Sequence, residues 1–491
     1  MKKKFLVLIS CLICCILFVT GCGVKPLVGG PNADNAVYGN GGMVVRKGEY
    51  VYFANAFSTQ KDITTNENKY GDETLSAIYR VKLSDNGVVE YGEDGLPVGA
   101  EIMVKQISGF ENSGLYIFGE HLYYATPYTL KNSDNGEDIT GLIRFCRVKL
   151  DGTGWKVLYE TKKFDDTASY FYTQVDGIVY LTIYDGEKLI SVKAKGGNIS
   201  NRVLVEEGVL SAKVYQRNDI STTDTLCEYD RYVYYTRNVV EEKDGKETGT
   251  VVARIKYTDN KAKEEVMYMG NNGYSVYEVK NNTLYLKLDS NLYSTNKTTF
   301  VEEDLKEYFL NSSLVENMIV VEDINATQTK DENGIILENK EDKGVVAVWN
   351  KNMLIHFKGG EDRVVLHDAS STELTLTLLY VEDGYVYYTE GGETLFRKNI
   401  SNPTSEAETV VTNISLTLDN SAVDKKYFDC DGDYVFFYKK VADTNEVNAY
   451  LHLAKAGNGY KDLEEKNVGK YIGVLDIADT EEKTEDTEEA E

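Results

Sequence analysis

Proline, cysteine, tryptophan and histidine are all scarce in this chain of 491 residues, and basic residues are outnumbered by acidic ones. Five prolines are too few for proline-rich linkers or tracts. The 53 basic and 79 acidic residues give a net charge of −26 at pH 7. A surface this acidic repels nucleic acid and anionic lipid, so we expect no nucleic-acid partner.

The seven cysteines are too few and too widely spaced to build the fold from disulfides. Four of them lie within the first 22 residues, and the others are Cys146, Cys227 and Cys430. These three are an odd number, and they lack the spacing of metal ligands. We therefore expect buried thiols in strands, with one disulfide among the three as the alternative.

Long apolar runs are also lacking, with one exception at residues 5–19. This run follows three lysines, and its fifteen residues fall short of the ~20 that a helix needs to cross the hydrocarbon core. A charged start, a short apolar core and small residues at its end are typical of a secretory signal peptide. A transmembrane anchor is the alternative.

The signal segment ends in Val19, Thr20, Gly21 and Cys22, and this sequence resembles the lipobox of bacterial lipoproteins. The resemblance implies cleavage after Gly21 and attachment of a diacylglycerol to the sulfur of Cys22. It also implies export, with the protein anchored in the cell membrane and facing outside the cytoplasm. Residues 1–21 contain three lysines and no acid, so the net charge beyond them is −29.

Tyrosine is abundant, with 37 residues, and it recurs in one local pattern. A turn with Gly, Asn or Asp precedes a short aromatic and β-branched strand, which predicts a β-hairpin. The pattern occurs at residues 48–53, 119–124, 176–181, 230–235, 281–286, 316–321, 383–388 and 432–437. Because these strands repeat, we expect most of the tyrosines to pack in the core rather than to form a ligand platform.

A second strand pattern follows most of these hairpins and alternates apolar with basic or polar residues. It occurs at residues 78–83, 145–152, 189–193, 252–256, 395–398 and 450–455. With a fourth strand, the unit has four strands in about 55 residues, which predicts an all-β fold. Such units form a single β-propeller of four-stranded antiparallel blades. We count eight blades. Seven is the alternative, because residues 344–349 and 353–357 allow another division of the sixth unit.

Two hairpins resemble the YWTD propellers of the low-density lipoprotein receptor type. Tyr387, Tyr388, Thr389 and Glu390 match best, followed by residues 395–400, and residues 234–237 with 252–256 match next. The Trp of the motif is Tyr here, and the acid is mostly absent. The chain is also similar to bacterial propeller lipoproteins of unknown function with degenerate repeats of this kind. These resemblances imply the fold and no particular activity.

The sequence therefore divides into four segments. Residues 1–21 are the predicted signal peptide, and residues 22–40 are a flexible tether rich in Gly, Asn and Pro. Residues 41–478 form the propeller, within which residues 470–475 are expected to help close the ring. Residues 479–491 are an acidic tail, which we expect to be disordered.

Motifs that carry chemistry are absent. The chain has no GxSxG, HExxH or Walker sequence, and its four histidines lie in different repeats. Asp429, Asp431 and Asp433 begin like a calcium loop, but the required acid at position 12 is Lys440, so a turn is expected. We therefore predict no metal site, no cofactor and no catalytic residue, and we expect a protein that is not an enzyme.

Long connections suggest where a ligand binds. The predicted second-to-third strand connections are residues 54–76, 127–140, 238–250 and 325–343, and the predicted fourth-to-first connections are 161–169 and 213–225. Up-and-down strands place all of them on one face of the disc. We expect a binding module for a protein, peptide or glycan on that face. The alternatives are tolerated polar insertions without function, a glycan lyase or hydrolase at the central channel, or a structural envelope component.

Overall fold

The computed structural model shows an all-β propeller built from four-stranded antiparallel blades. It describes residues 37–42, 44–54, 78–82, 101–104, 114–131, 136, 138–161, 169–214, 231–240, 247–280, 283–321, 344–372, 374–382, 384–391, 394–411, 428–430, 434–440, 449–455 and 466–467. The predicted cleavage and lipidation residues, Gly21 and Cys22, lie outside these ranges, as do the predicted closing strand 470–475 and the acidic tail.

Four sheets make up the first half of the described chain. Sheet 1 consists of β1 (Val37–Tyr38), β2 (Val44–Lys47), β3 (Tyr50–Ala54), β4 (Ile78–Lys82) and β5 (Glu101–Val104). Sheet 2 consists of β6 (Tyr116–Phe118), β7 (His121–Lys131), β8 (Asp138–Lys149) and β9 (Lys156–Glu160). Sheet 3 consists of β10 (Ser169–Val175), β11 (Ile178–Tyr184), β12 (Leu189–Lys195) and β13 (Asn198–Val205). Sheet 4 consists of β14 (Val209–Val214), β15 (Tyr232–Val240), β16 (Glu247–Lys256) and β17 (Glu265–Gly270).

Four further sheets follow in chain order. Sheet 5 consists of β18 (Ser275–Lys280), β19 (Thr283–Leu288), β20 (Asn291–Thr295) and β21 (Lys306–Tyr308). Sheet 6 consists of β22 (Val315–Val321), β23 (Gly344–Trp349), β24 (Met353–Gly359) and β25 (Asp362–Asp368). Sheet 7 consists of β26 (Leu376–Glu382), β27 (Tyr385–Glu390), β28 (Thr394–Asn399) and β29 (Glu408–Val411). Sheet 8 consists of β30 (Phe428–Cys430), β31 (Tyr434–Lys440), β32 (Ala449–Lys455) and β33 (Lys466–Asn467). Short 3-10 turns at Glu302–Asp304 and Ser312–Leu314 flank β21 and β22.

Seven of the sheets are four-stranded blades, so the alternative prediction of seven blades is confirmed and the main prediction of eight is wrong. Sheet 1 differs from the repeated unit because it has five strands. Six of the eight predicted aromatic strands are the second strand of a four-stranded blade, and residues 48–53 belong to β3, the third strand of sheet 1. Residues 316–321 are a correction, because they belong to β22, the first strand of sheet 6. The second strand there is β23, which has no tyrosine and no Asp-Gly turn directly before it, so the repeat pattern did not mark it.

Consecutive sheets pack face to face, and each neighbouring pair from sheets 1|2 to 6|7 encloses one apolar core. Side chains alternate along a strand, so a second strand supplies two cores. Tyr234 lies in the core between sheets 4 and 5, and Tyr235 lies in the core between sheets 3 and 4. Both tyrosines are fully buried, which confirms the predicted packing role of the repeated tyrosines.

A β-bulge recurs between the last two strands of six sheets. In each case two adjacent residues of the inner strand pair with residues that are two positions apart in the outermost strand, which leaves one extra residue between them. The extra residues are Met103, Leu158, Leu204, Met267, Leu366 and Val410. All are apolar, five are buried, and Leu204 packs half-buried against the core between sheets 3 and 4. The bulge thus directs an apolar side chain of the outermost strand into the core.

The innermost strands form a second repeated feature. In sheets 4 to 7 the first strand has a bulge against the second strand, with Leu210, Tyr277, Glu316 and Leu379 as the extra residues. First strands of neighbouring sheets are joined by hydrogen bonds. The Tyr277 hydroxyl donates to the carbonyl oxygen of Met318 at 2.8 Å, and the Asn317 amide donates to that of Leu378 at 2.9 Å.

Candidate functional site

The antiparallel order of the strands gives the disc two faces. The hairpin face carries the first-to-second and third-to-fourth connections, such as residues 176–177 and 257–264. The crossover face carries the second-to-third connections, such as residues 185–188, and the connections between sheets, such as residues 206–208. The predicted working surface corresponds to the crossover face.

Two of the six predicted connections join other strands than predicted. Residues 325–343 lie outside the described ranges, but they connect the first strand β22 to the second strand β23. Residues 213–225 begin at the end of the first strand β14 and lead to β15. Both therefore join a first strand to a second strand, and their predicted types, second-to-third and fourth-to-first, are wrong. The error arose because Val209–Val214, which starts only four residues after β13 ends, was read as part of a fourth-to-first connection.

Of the other four connections, two are partly strand and two fall almost entirely outside the described ranges. Residues 127–131 and 138–140 extend the hairpin of β7 and β8, and residues 238–240 and 247–250 extend that of β15 and β16. Of residues 54–76, only Ala54 is described, and of residues 161–169 only Thr161 and Ser169 are.

An open cleft lies between sheets 3 and 4 on the hairpin face, with a volume of about 500 Å³. We refer to it as the inter-sheet cleft. Sheet 3 contributes Val175, Asp176 and Tyr180, and sheet 4 contributes Arg231, Lys256 and the turn at residues 258–261. The cleft is thus built from segments that are more than 50 residues apart in the chain.

The sheet 3 wall is a tight hairpin. Asp176 and Gly177 are its only two loop residues, and both have a positive φ, at 51° and 71°. A two-residue type I′ turn requires this conformation, and Asp-Gly is among the sequences that adopt it most readily. The turn holds the Asp176 carboxylate at the rim, while Val175 and Tyr180 are buried beneath it.

The sheet 4 wall is held by polar contacts on both sides. The Asp259 carboxylate accepts a hydrogen bond from the backbone N–H of Lys261 at 2.9 Å, which closes the turn. Arg202 of β13 donates to the carbonyl oxygens of Asp259 and Ala262, the latter at 3.2 Å. The turn is therefore fixed to sheet 3 as well as to its own sheet.

One ion pair crosses the cleft. Arg231 approaches both carboxylate oxygens of Asp176, with Nη1 to Oδ2 at 3.2 Å and Nη2 to Oδ1 at 3.3 Å. On the floor, Tyr180 meets Tyr257 edge to face at 5.4 Å between ring centroids. Burial and, to a smaller extent, the Asp176 charge raise the pKa of Tyr180, against the opposing effect of Arg231. Its hydroxyl is therefore protonated at neutral pH.

The cysteines and histidines within the described ranges lie in strands. Cys146 is a buried free thiol in β8, as predicted, and burial raises its pKa to about 12. Cys227 lies outside the described ranges. His121 lies in a strand of sheet 2, and His452 lies in a strand of sheet 8. His356 and His367 both lie in sheet 6, so the prediction that the four histidines lie in different repeats is wrong. Among the residues that the structure describes, no three His, Cys, Asp or Glu side chains converge as a metal site would require. Asp429 lies in β30, and Asp431 and Asp433 are outside the described ranges.

Two polar clusters were not anticipated from the sequence. His367 Nε2 lies 3.2 Å from Glu390 Oε2, and the Thr372 hydroxyl donates to Glu390 Oε1 at 3.1 Å. In sheet 4, the Arg237 guanidinium and the Tyr235 hydroxyl both donate to the Glu264 carboxylate. Tyr235 and Arg237 belong to a YWTD-like stretch, but their partner Glu264 is 27 residues further along in the chain, and no local pattern identifies it.

No protein-family model matches the chain, and no curated protein matches its sequence. A puromycin-hydrolysing peptidase of Mycobacterium tuberculosis aligns at 11% identity with a TM-score of 0.41, over 75% of this chain and 54% of that one. The β-propeller domain of the trilobed protease from Pyrococcus furiosus, which has an open velcro topology, aligns at 13% identity with a TM-score of 0.34. The alignment covers 74% of this chain and 97% of that one. A protein from Lactobacillus plantarum aligns at 10% identity with a TM-score of 0.32, over 72% of this chain and 98% of that one. The chain spans about half the length of the M. tuberculosis peptidase.

Within the described residues, no helix has the length and apolar character needed to cross a bilayer.

Proposed function

We propose that this protein is a binding module of the cell surface, and that the inter-sheet cleft is where it holds its ligand. The single observation that carries the proposal is the cleft itself, an open space of about 500 Å³ lined mainly by polar and charged side chains. Small-molecule sites are typically concave and of this size but mostly apolar, so a cleft with this lining favours a ligand that is recognised through charge and hydrogen bonding. The ligand is a protein, a peptide or a glycan that inserts one group into the cleft.

The location of the protein is part of the proposal. Cleavage after Gly21 and lipidation of Cys22 would tether the propeller to the outer surface of the cell membrane through the segment predicted as residues 22–40, near whose end Val37–Tyr38 form β1 of sheet 1. Two acyl chains give stable anchoring at ~0.8 kcal/mol per buried CH₂. Replacement of Cys22 by Ser should release the protein from the membrane fraction, and retention there would contradict lipid anchoring.

The rigidity of the cleft supports binding. Its walls are a type I′ hairpin and a turn fixed by Arg202, so little conformational freedom is lost when a ligand binds. The floor is closed by buried Tyr180, whose ring offers no exposed face for stacking on a sugar. The walls therefore supply the recognition, through charge and hydrogen bonding.

A second candidate is a glycan-active enzyme at the central channel. Its support is the run of bulges on the first strands of sheets 4 to 7, because bulges often redirect side chains beside active sites. Turnover of envelope glycans by the purified protein would favour this candidate. A structural envelope role would leave both the cleft and the channel without ligands.

The test is capture from envelope extract and on a glycan array by residues 22–491 immobilised on beads. The variant Asn260→Trp places a large side chain on the exposed rim of the cleft. The matched control Glu187→Trp places the same side chain on the crossover face of sheet 3. We expect specific capture that Asn260→Trp abolishes and Glu187→Trp preserves. Capture that survives Asn260→Trp would rule out the cleft, and the absence of any capture would count against a binding module.

A further inference from the structure

The inter-sheet cleft is a basic site on an acidic protein. Arg231, Lys256 and Lys261 line it. Two more cations lie in the surrounding walls: Lys193 Nζ is 5.9 Å from the centre of the Tyr180 ring, and Arg202 holds the turn at residues 258–261. Asp176 and Asp259 are the acids of the lining. The local excess of positive charge is opposite in sign to the net charge of −26.

The five cations differ in what else they contact. Arg202 is committed to two backbone carbonyls, and Lys256 lies over the Tyr232 ring at 5.1 Å. Lys261 is exposed at the rim, and its ammonium makes no ion pair with any residue in the described ranges. Arg231 is the cation that lines the cleft and also forms an ion pair with a carboxylate, that of Asp176.

The carboxylate on Arg231 is easily exchanged. The Asp176 side chain is 64% exposed and that of Arg231 is 35% exposed, so water screens their interaction. Exposed pairs of this kind contribute little to stability. A guanidinium presents parallel N–H donors that fit a carboxylate or a phosphate equally well. A ligand oxyanion can therefore replace Asp176 on Arg231 at small cost, and Lys261 adds a second positive charge.

We propose that the inter-sheet cleft binds an anionic oxygen group, a carboxylate or a phosphate, by exchanging it for Asp176 on Arg231. This inference rests on the proposed function and names the chemistry of its ligand. The long-range field of the acidic surface repels extended polyanions, but it is screened within ~8–10 Å at physiological salt. The ligand is therefore small, or presents its anionic group singly.

Removing the Asp176 charge should change the affinity for the ligand, and the direction of the change depends on the charge of the ligand. Asn also favours the type I′ turn at position 176, so Asp176→Asn keeps the hairpin and removes the competing charge. If the ligand is an anion, this variant binds it more tightly. If the ligand is a cation, the variant loses a carboxylate and binds it more weakly.

The experiment titrates residues 22–491 with acetate, inorganic phosphate and methylammonium, each followed by NMR shifts of the backbone amides of Asn260 and Lys261. We expect the shifts to saturate with acetate or with phosphate. The anion that binds more tightly identifies the ligand group as a carboxylate or a phosphate. Asp176→Asn should strengthen binding by about tenfold, and Arg231→Gln and Lys261→Gln should weaken it by about the same factor. Lys287→Gln, at an exposed position in sheet 5, is the control and should leave affinity unchanged.

Two results would overturn the inference. Methylammonium binding that Asp176→Asn weakens would make the cleft a cation site. No response to acetate or phosphate in the wild type or in Asp176→Asn would exclude an anion site. In either case, if Asn260→Trp abolishes capture, the cleft remains the binding site and its ligand has another chemistry. If Asn260→Trp leaves capture unaffected, both the proposed function of the cleft and the anion site are wrong.

Discussion

Asn40 shows how a single side chain joins two sheets. Its amide donates to the carbonyl oxygen of Ile117 at 3.2 Å, and its Oδ1 accepts the N–H of Ile117 at 2.7 Å. The side chain thus imitates a β-ladder partner at the edge of β6. Both groups of Ile117 are buried, so each would lose its partner if Asn40 were truncated.

Asn40→Ala should therefore lower the free energy of unfolding by about 2–4 kcal/mol, because two buried backbone groups are left unsatisfied. Urea unfolding at pH 7 measures the change. Asn201→Ala, at an exposed position of β13, should change it by less than ~0.5 kcal/mol. Equal effects of the two substitutions would show that the Asn40 bonds do not stabilise the fold.

His356 makes stability depend on pH. It is buried in β24, and burial, with Lys358, lowers its pKa to about 4 against the opposing charge of Asp362. An unfolded chain protonates this histidine near pH 6.5, so between pH 6.5 and 4 the unfolded state binds more protons than the folded one. The contribution is fully present above pH 6.5 and is lost as the pH falls.

His356→Leu should therefore remove up to ~3 kcal/mol of the stability lost between pH 7 and pH 4. Urea unfolding at pH 7, 5.5 and 4 gives the slope for the wild type and the variant. If both lose the same free energy over this range, His356 is not the group responsible.

The recurrent bulge determines which residue of a fourth strand is buried. In β25, Leu366 is the extra residue and is 2% exposed, while its neighbour Val365 is 48% exposed. Leu366 belongs to the core between sheets 6 and 7. Two apolar residues next to each other in one strand thus have opposite environments.

Leu366→Ala should cost about 2–4 kcal/mol of unfolding free energy, because it leaves a cavity in the core. Val365→Ala is the matched control in the same strand and should cost less than ~0.5 kcal/mol. Thermal and urea unfolding both measure the difference. A larger effect at Val365 would mean that the bulge is in another register.

The strands were largely predictable from the sequence, and the bulges were not. The turn and Tyr pattern identified second strands such as β11 and β27 because both of their faces are buried and their hairpins are tight. Leu366 and Val365 have the same apolar character, so no local pattern tells which one faces the core. The failure at residues 316–321 has the same origin, since an apolar first strand resembles a second strand.

Shared cores should make distant sheets unfold together. Each sheet from 2 to 6 packs against both neighbours, so the loss of one exposes apolar surface on the next. The chain has two tryptophans, Trp155 directly before β9 in sheet 2 and Trp349 in β23 of sheet 6. They report on well-separated parts of the chain.

We expect the single-tryptophan variants Trp155→Phe and Trp349→Phe to show the same urea midpoint by fluorescence as by circular dichroism. A cooperative ring requires that the two reporters coincide. Midpoints that differ between the reporters, after correction for the effect of each substitution, would show that the two halves unfold independently.

The inter-sheet cleft could not be predicted from the sequence. Asp176 and Arg231 come from different repeats, and each has an ordinary role within its own hairpin pattern. They meet because sheets 3 and 4 pack at a fixed angle, which depends on the whole core between them. The loop lengths pointed instead to the crossover face, since length shows where insertions are tolerated and not where charges converge.

The most direct test of this account is site-specific photo-crosslinking in envelope extract, with the photoreactive residue at Asn260 or at Glu187. Both positions are exposed, and they lie on opposite faces, the hairpin face of sheet 4 and the crossover face of sheet 3. The account predicts a specific adduct from position 260 and none from position 187. An adduct from position 187 alone would contradict it and would place the binding surface on the crossover face.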